Sequence, residues 1–503
     1  VSIIEPAAAA ADESAWPLLP AERTWGAARL TLTLATTAAA TWCYLIGESV
    51  GSYLGFMQGA MALTAGCFIG MLLVLMAAGP TCVRFGIDSV AATKPQFGSR
   101  GWVVPAALQA VSIIGWNSLL IIFFAKSAVQ LAVALGLLPP GTGGALIPLL
   151  TLFACAVIFT ALRRGATGVS MVSNILFVHV FVGLWMLYLI VTRRWPELIA
   201  ARPALAASQH LWNYTTGVEL GIGTTLSWWP YIGAMIRMVP NGRTAVLPVM
   251  LGMCLPVPLL SLIGLAGVLV LKTSDPSEWL RTVGGPTYAV VSLAFVTAAN
   301  FGTTTAGIYA SAVGLRNFHA LQRRSWTTLL LLTIMPVACV GIFIPELFFA
   351  KFGNFLALIG VAFAPLCGIQ ITDYFLLRRR SLDVRAMYTQ GAGQPYWFWG
   401  GVNPAALLAL AAGCAAYVLL LNPLNLRSGG WYPHLTASLP AAGSAALVYF
   451  LAGSLVMRAG RGGYRRGADR RGADRRGADR RGADRRDSYR NSRQAGHERQ
   501  DAT

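Results

Sequence analysis

Apolar residues run along this chain in blocks of about twenty, each closed by a short polar or basic segment, a length that lets a helix cross the hydrocarbon of a bilayer. About twelve such blocks can be marked, at 28–53, 55–78, 103–136, 145–162, 168–192, 215–238, 246–271, 286–313, 326–344, 351–376, 404–421 and 437–457. The pattern predicts an all-α, polytopic membrane protein with about 12 transmembrane helices. One block departs from a plain anchor. Residues 219–240 read ELGIGTTLSWWPYIGAMIRMVP. Gly221 and Gly223 weaken a helix, Pro230 breaks it, and the Trp228–Trp229 pair lies at mid-depth. Unwinding in hydrocarbon frees backbone groups that only a ligand, an ion or neighbouring helices can satisfy. The block reads as the broken helix of a secondary transporter, with tryptophans facing a flat aromatic substrate.

Other blocks carry weaker signals of the same kind. In the first, residues 36–41 (TTAAAT) are nearly all small. They can let a neighbouring helix approach closely, or their hydroxyls can join freed carbonyls around a cation. Glu48, in the outer half of that block, is either a pathway or proton-relay carboxylate or a group reaching the outer interface. Trp116 stands about 13 residues into the third block, near mid-membrane at about 1.5 Å of rise per residue. That depth disfavours an interfacial belt. Lys126 is expected to snorkel outward. The eighth block contains AANFGTTTAGIYAS, with Thr303 to Thr305 beside Asn300 and Gly302. These hydroxyls either bond back to their own helix or help to form an ion or substrate site. Pro365 can kink the tenth block, Arg378 to Arg380 anchor its end, and the last two blocks look plainer and peripheral.

Composition sharpens the membrane reading. The chain is 55% hydrophobic and 12% charged over 503 residues, about half the charged fraction of a soluble protein. Its net charge of +19 suggests nucleic acid until the charges are placed. With the N-terminus inside, the inner loops hold Arg84, Lys94, Arg100, Arg163, Arg164, Arg237, Arg243, Arg316, Arg323, Arg324, Arg378, Arg379, Arg380 and Arg385. The outer loops hold half as many: Arg193, Arg194, Arg202, Lys272, Arg281, Lys351 and Arg427. That asymmetry predicts a multi-pass protein of the plasma (inner) membrane with both termini cytoplasmic, and no nucleic-acid partner. The eight cysteines are scattered without a C-x-x-C pair and the five histidines without H-E-x-x-H spacing. Neither a disulfide framework nor a metal site is expected, and His179 reads as packing. Residues 1–26 lack a signal-peptide pattern and read as a cytosolic lead-in. Residues 459–503, with GADRR repeated four times from Gly467 to Arg486, read as a disordered tail. Its arginines could touch anionic lipid, or the repeat could be a duplication without function.

Several motifs in order along residues 28–425 resemble the nucleobase–cation symporter family, the cytosine, purine, uracil, hydantoin, allantoin and thiamine permeases. They are KPQFGSRG, with Lys94 where the family has arginine; Gly115-Trp116; Arg237 and Pro240; PLCGIQITDYFLLRR, with Asp373, Tyr374 and Arg378; and Gly401 with Asn403. The resemblance implies a leucine-transporter-like, five-plus-five inverted repeat (27–192 and 215–380) with broken helices 1 and 6. Two further helices (404–457) complete a 27–458 transporter domain. It also implies alternating access and substrate held among helices 1, 3, 6, 8 and 10. Trp116 and Trp228 would sandwich a planar heterocycle, with Asn117 and Glu219 as polar partners at its edge. Ala38, Thr41, Ala299 and Thr303 would form the cation site. The chain departs from the family at Ala234-Met235, at Gly302, and at Gly307 or Ile308 where an asparagine is usual, so coupling stays open between Na+ and H+ through Glu48 or Glu219. The expected activity is symport of a small heterocyclic amide by a non-enzyme without a cofactor, whose partners are the substrate, the coupling cation and the bilayer. The alternative is an amino-acid or amine carrier on the same fold, which would need charge partners at mid-membrane that this sequence scarcely offers. An enzyme or channel would need a catalytic or filter motif, and none is seen.

Overall fold

The computed structural model describes residues 16–38, 40–163, 176–272, 285–315, 318, 320–321 and 323–459. The GADRR segment, most of the lead-in, the side chain of His179, and Arg164, Arg281 and Arg316 lie outside the described residues.

Helices account for nearly every apolar block. We number them α1a (Ala27–Ala38), α1b (Trp42–Gly51), α2 (Phe56–Phe85), α3 (Val103–Ala134), α4 (Leu146–Leu162), α5 (Leu176–Ala200), α6a (His210–Leu226) and α6b (Trp229–Ile236). There follow α7 (Val246–Cys254 continued by Pro256–Leu271), α8 (Pro286–Leu315), α9 (Trp326–Phe343), α10 (Phe352–Ile371), α11 (Pro404–Leu420) and α12 (Ser438–Arg458). Among the described residues seven helices are long and apolar enough to cross a membrane, and α4 and α11 are shorter apolar helices. The two broken helices and α5 make up the remaining spans. Met57, Met61, Phe68 and Leu72 form an exposed apolar stripe on α2, as do Leu447, Leu451 and Leu455 on α12. Such stripes suit contact with lipid.

The packing follows the inverted repeat. Helix α1b packs on α7 and α2 on α6a, while α3 packs on α8 and α4 on α9. Four helices of the first half therefore meet their counterpart, or their counterpart's neighbour, in the second, while α5 packs on α7 and α8. Two apolar cores result. The smaller joins Ile121, Ile122, Ile158, Ile308, Leu329 and Val337 of α3, α4, α8 and α9. The larger joins α1, α2, α6, α7 and α10 to α12, and reaches Trp116 and Phe123 on α3.

Glycine sets the close crossings. A Cβ on Gly221 would lie 2.8 Å from the Leu63 carbonyl oxygen and 3.0 Å from Gly66 Cα. One on Gly264 would collide with the Tyr44 carbonyl. Close backbone approach of this kind is how helices associate in lipid, where burial alone gives little driving force. This corrects the reading of the α6 break. Gly221 and Gly223 stay helical within α6a, and the interruption is confined to Ser227 and Trp228. Pro230 occupies the start of α6b, where its missing N–H costs no helical hydrogen bond. The last two helices are not peripheral either, since α12 packs along α10 and α11.

Candidate functional site

Both helix breaks end on a tryptophan. At the α1 break the Ala38 carbonyl accepts from the backbone N–H of Ala40 at 2.9 Å and the Cys43 thiol at 3.3 Å, and Trp42 begins α1b. At the α6 break the Ser227 hydroxyl donates to the Thr224 carbonyl at 2.5 Å, and Trp228 precedes α6b. The two indoles meet with ring centroids 6.2 Å apart at 48°. Trp116 of α3 joins from the other side, 5.4 Å from Trp42 at 70°. The expected pair, Trp116 and Trp228, is thus brought to one place, with Trp42 standing between the two rings. Phe352 and Phe355 of α10 pack on Trp116 at 5.7 and 5.6 Å. Trp229 turns the other way: it is fully buried, its ring lies 5.4 Å from Phe363, and its Nε1–H donates to Gln370 Oε1 at 2.7 Å.

Asn117 is 1% exposed, and its Oδ1 presses against Gly307 of α8, where any side chain would displace it. Glu219 is buried and fully engaged. Its Oε1 accepts from Tyr417 Oη at 3.0 Å and Ser438 Oγ at 2.5 Å. Its Oε2 accepts from the N–H groups of Ala437 and Ser438 at 3.0 and 3.2 Å. A carboxylate held by four donors at a helix N-terminus is an anchor of α6a on α11 and α12. Its acceptor positions are thus taken up by protein donors, while the residue also borders the cavity beside the cluster.

The four cation candidates lie on the two elements that meet here. Thr41 is buried at the α1 break, and its hydroxyl donates across to Asn300 Oδ1 on α8. Ala38 and Ala299 are buried, and Thr303 donates to the Ala299 carbonyl at 3.0 Å. Thr304 and Thr305 likewise return their hydroxyls to α8, at 2.7 and 2.8 Å. The local chemistry consists of neutral oxygens, which suits a hard monovalent cation. Trp42 and Asn300 are the two residues that join the site from outside the expected set. Asn300 had a sequence cue in its position beside the threonine run, and Trp42 had none of its own.

A cavity of about 350 Å³ adjoins the cluster, bordered by Glu48, Tyr53, Trp212, Glu219, Phe352 and Tyr432 among others. Its wall is shared with the cluster through Phe352. That volume accommodates a one- or two-ring heterocycle.

At the opposite, basic end the sequence motifs assemble into one latch. Residues Thr372–Leu377 form a π-turn, whose i→i+5 hydrogen bond from Arg378 N–H to the Asp373 carbonyl is 2.7 Å. That turn stacks Arg378 over Asp373, and Nε lies 2.7 Å from Oδ2 with both side chains almost wholly buried. Gln96 Nε2 and Tyr449 Oη also donate to Asp373, each at 2.9 Å. Arg378 Nη2 reaches the Pro95 carbonyl at 2.7 Å, and Asn403 Nδ2 reaches that of Gln96 at 2.6 Å. Lys94 lies over the Tyr388 ring at 4.2 Å. Burial pushes its ammonium below the usual lysine range, with Asp88 opposing. Lys126, expected to reach outward, pairs with the exposed Glu346 at 3.2 Å.

Residues 17–435 match the model of a family described as permeases for cytosine and purines, uracil, thiamine and allantoin. A hydantoin permease of Microbacterium maritypicum is 25% identical over 472 residues, covering 87% of this chain and 90% of that protein. A cytosine permease of Escherichia coli (strain K12) is 25% identical over 238 residues, covering 47% of this chain and 52% of its own length. Among solved structures, Mhp1, a nucleobase-cation-symport-1 family transporter in a closed conformation with bromovinylhydantoin bound, superposes with a TM-score of 0.71. That match has 22% identity and covers 89% of this chain and 96% of Mhp1. The inward-facing conformation of Mhp1 gives 0.74 at 21% identity, over 88% and 93%. The fold is therefore the leucine-transporter-like inverted repeat with broken helices 1 and 6. The chain belongs to the cytosine/purine, uracil, thiamine and allantoin permease family, and is a multi-pass membrane transporter rather than an enzyme.

Proposed function

We propose that this transporter is a symporter importing a nucleobase or a related planar heterocyclic amide, by alternating access, at the junction of the two helix breaks. One observation carries the reading: Trp42, Trp116 and Trp228 converge from α1, α3 and α6 on a single mid-helix point. Planar heterocycles stack on such rings, at about 1–3 kcal/mol per ring system. Trp228 and Trp116 with Asn117 are the substrate contacts on this reading, and Ala38, Thr41, Ala299 and Thr303 with Asn300 the cation contacts. Neutral oxygens at the α1–α8 junction favour Na+, and Glu48 at the cavity offers a route for H+. The relatives named for hydantoin and cytosine support a cyclic amide as substrate. The basic latch supports a cytoplasmic placement of that end in the plasma membrane.

Uptake into proteoliposomes tests this directly, with labelled hydantoin, uracil, cytosine, allantoin and purines under imposed Na+ or H+ gradients. Saturable accumulation of at least one, driven by one of the two gradients, is expected. Failure to accumulate any of them under either gradient overturns the proposal.

A further inference from the structure

We infer that the cavity beside the tryptophan cluster is a ligand site of its own, which takes an organic cation over its aromatic wall and against the Glu48 carboxylate. The inference goes beyond the heterocycle reading and stands on different residues, since none of Trp42, Trp116 and Trp228 borders the cavity. Phe352 at the start of α10 does border it, and Ile371, roughly 28 Å further along that helix, leads into the latch. The cavity therefore lies at the end of the fold away from the basic residues. Glu48 follows Trp42 by about 9 Å along α1b, on the same side of the cluster.

Charge, donors and rings on this wall all favour a cation. Glu48 and Glu219 border the cavity, and among the described residues no lysine, arginine or histidine does. Lys351 and Arg427, next in sequence to the bordering Phe352 and Leu426, are exposed and stay outside it. The side-chain donors are spent within the protein. Trp212 gives its Nε1–H to Ser428 Oγ at 2.7 Å, and Tyr432 gives its hydroxyl to Thr216 Oγ1 at 3.3 Å. Asn354 Nδ2 donates to the Pro423 and Leu424 carbonyls, each at 2.8 Å. The hydroxyls of Ser49, Ser52 and Thr216 return to their own helices at 2.8, 3.1 and 2.8 Å. A cyclic amide finds few donors here for its carbonyl oxygens, whereas a cation needs none. Ring surface is what remains. Trp212 lies between Tyr53 and Tyr432, with centroids 5.6 and 6.3 Å away, and all three border the cavity. Aromatic faces beside a carboxylate, in a cleft with apolar walls, attract a positive charge and repel a negative one. Glu219 is already held by four protein donors, so its part is charge alone, and Glu48 is the contact.

Three ligands of nearly one shape test this at neutral pH: the ring-N-methylated nicotinamide cation, neutral nicotinamide and the nicotinate anion. Binding is measured on the purified full chain in nanodiscs. The cation is expected to bind roughly tenfold more tightly than the neutral ligand, and the anion more weakly than either. Glu48→Gln keeps the side chain's shape and drops its charge. It should weaken the cation about tenfold and leave the neutral ligand within about twofold. Trp212→Leu removes a ring face and should likewise weaken the cation most. Should either variant lose its wild-type melting transition, the wild-type series and the other variant decide. Equal affinity of the wild-type chain for the cation and the neutral ligand overturns the inference. So does a cation preference that survives both substitutions unchanged, since the cation then sits elsewhere. Heterocycle uptake is a separate measurement. Uptake without cation binding overturns this inference alone, and cation binding without uptake overturns only the heterocycle reading.

Discussion

Tyr417, Ser438 and two backbone N–H groups converge on the carboxylate of Glu219, 198 to 219 positions away in sequence. Replacing it with glutamine puts an NH2 group where an oxygen now accepts, and at least one buried donor loses its partner. A cost of about 1–3 kcal/mol is expected. Glu219→Gln should therefore lower the melting temperature while leaving heterocycle affinity within about threefold, as suits an anchor. Lost affinity at unchanged melting temperature would return Glu219 to the substrate site. Nothing local in the sequence distinguishes these two roles, because every partner comes from α11 and α12. Trp116 and Trp228 were legible for the opposite reason: mid-depth tryptophans in apolar spans are conspicuous from spacing alone. Trp42 was hidden. It follows a stretch of small residues whose break is too short to show as a polar or proline-rich interruption.

Helix α6 shows how packing overrides propensity. Glycine weakens an isolated helix by about 1 kcal/mol relative to alanine, which made Gly221 and Gly223 look like the point of unwinding. In the fold Gly221 instead lies against the backbone of α2, while Gly223 has only the Leu356 carbonyl nearby at 3.4 Å. The two glycines should respond differently to substitution. Gly221→Ala forces α2 and α6a apart and should cost about 1–3 kcal/mol in thermal unfolding. Gly223→Ala should be neutral or stabilising by up to about 1 kcal/mol. If both substitutions impaired transport alike at unchanged stability, flexibility of α6a and not packing would be the reason for the glycines. The approximate helix ends and the existence of the α6 break were readable from block length and proline, whereas the α1 break was expected only through the family resemblance. The location of each break depended on contacts with another helix, and that information lies outside the block.

At the scale of the molecule, two apolar cores meet at the tryptophan cluster, and the latch at the basic end spans separate elements on the far side. Asp373 and Arg378 on the end of α10 hold the Lys94–Phe97 turn between α2 and α3, while Tyr449 and Asn403 bring in α12 and the start of α11. The motif residues in this latch were recognisable in sequence, yet their common purpose was not, because they come from four separate segments. The arrangement makes a quantitative prediction. Arg378→Ala leaves the buried Asp373 carboxylate without its charge partner and should destabilise by about 3–5 kcal/mol. Asp373→Ala strands the guanidinium, which keeps the Pro95 carbonyl, and also strips Gln96 and Tyr449 of their acceptor, so it should cost at least as much. The double variant removes both charges together, so its loss should fall below the sum of the single losses by about 1–3 kcal/mol. Thermal or denaturant unfolding of the four proteins in nanodiscs gives that cycle. Strict additivity would mean that the pair does not hold the latch, and that the hydrogen bonds of Gln96, Asn403 and Tyr449 keep this end closed without it.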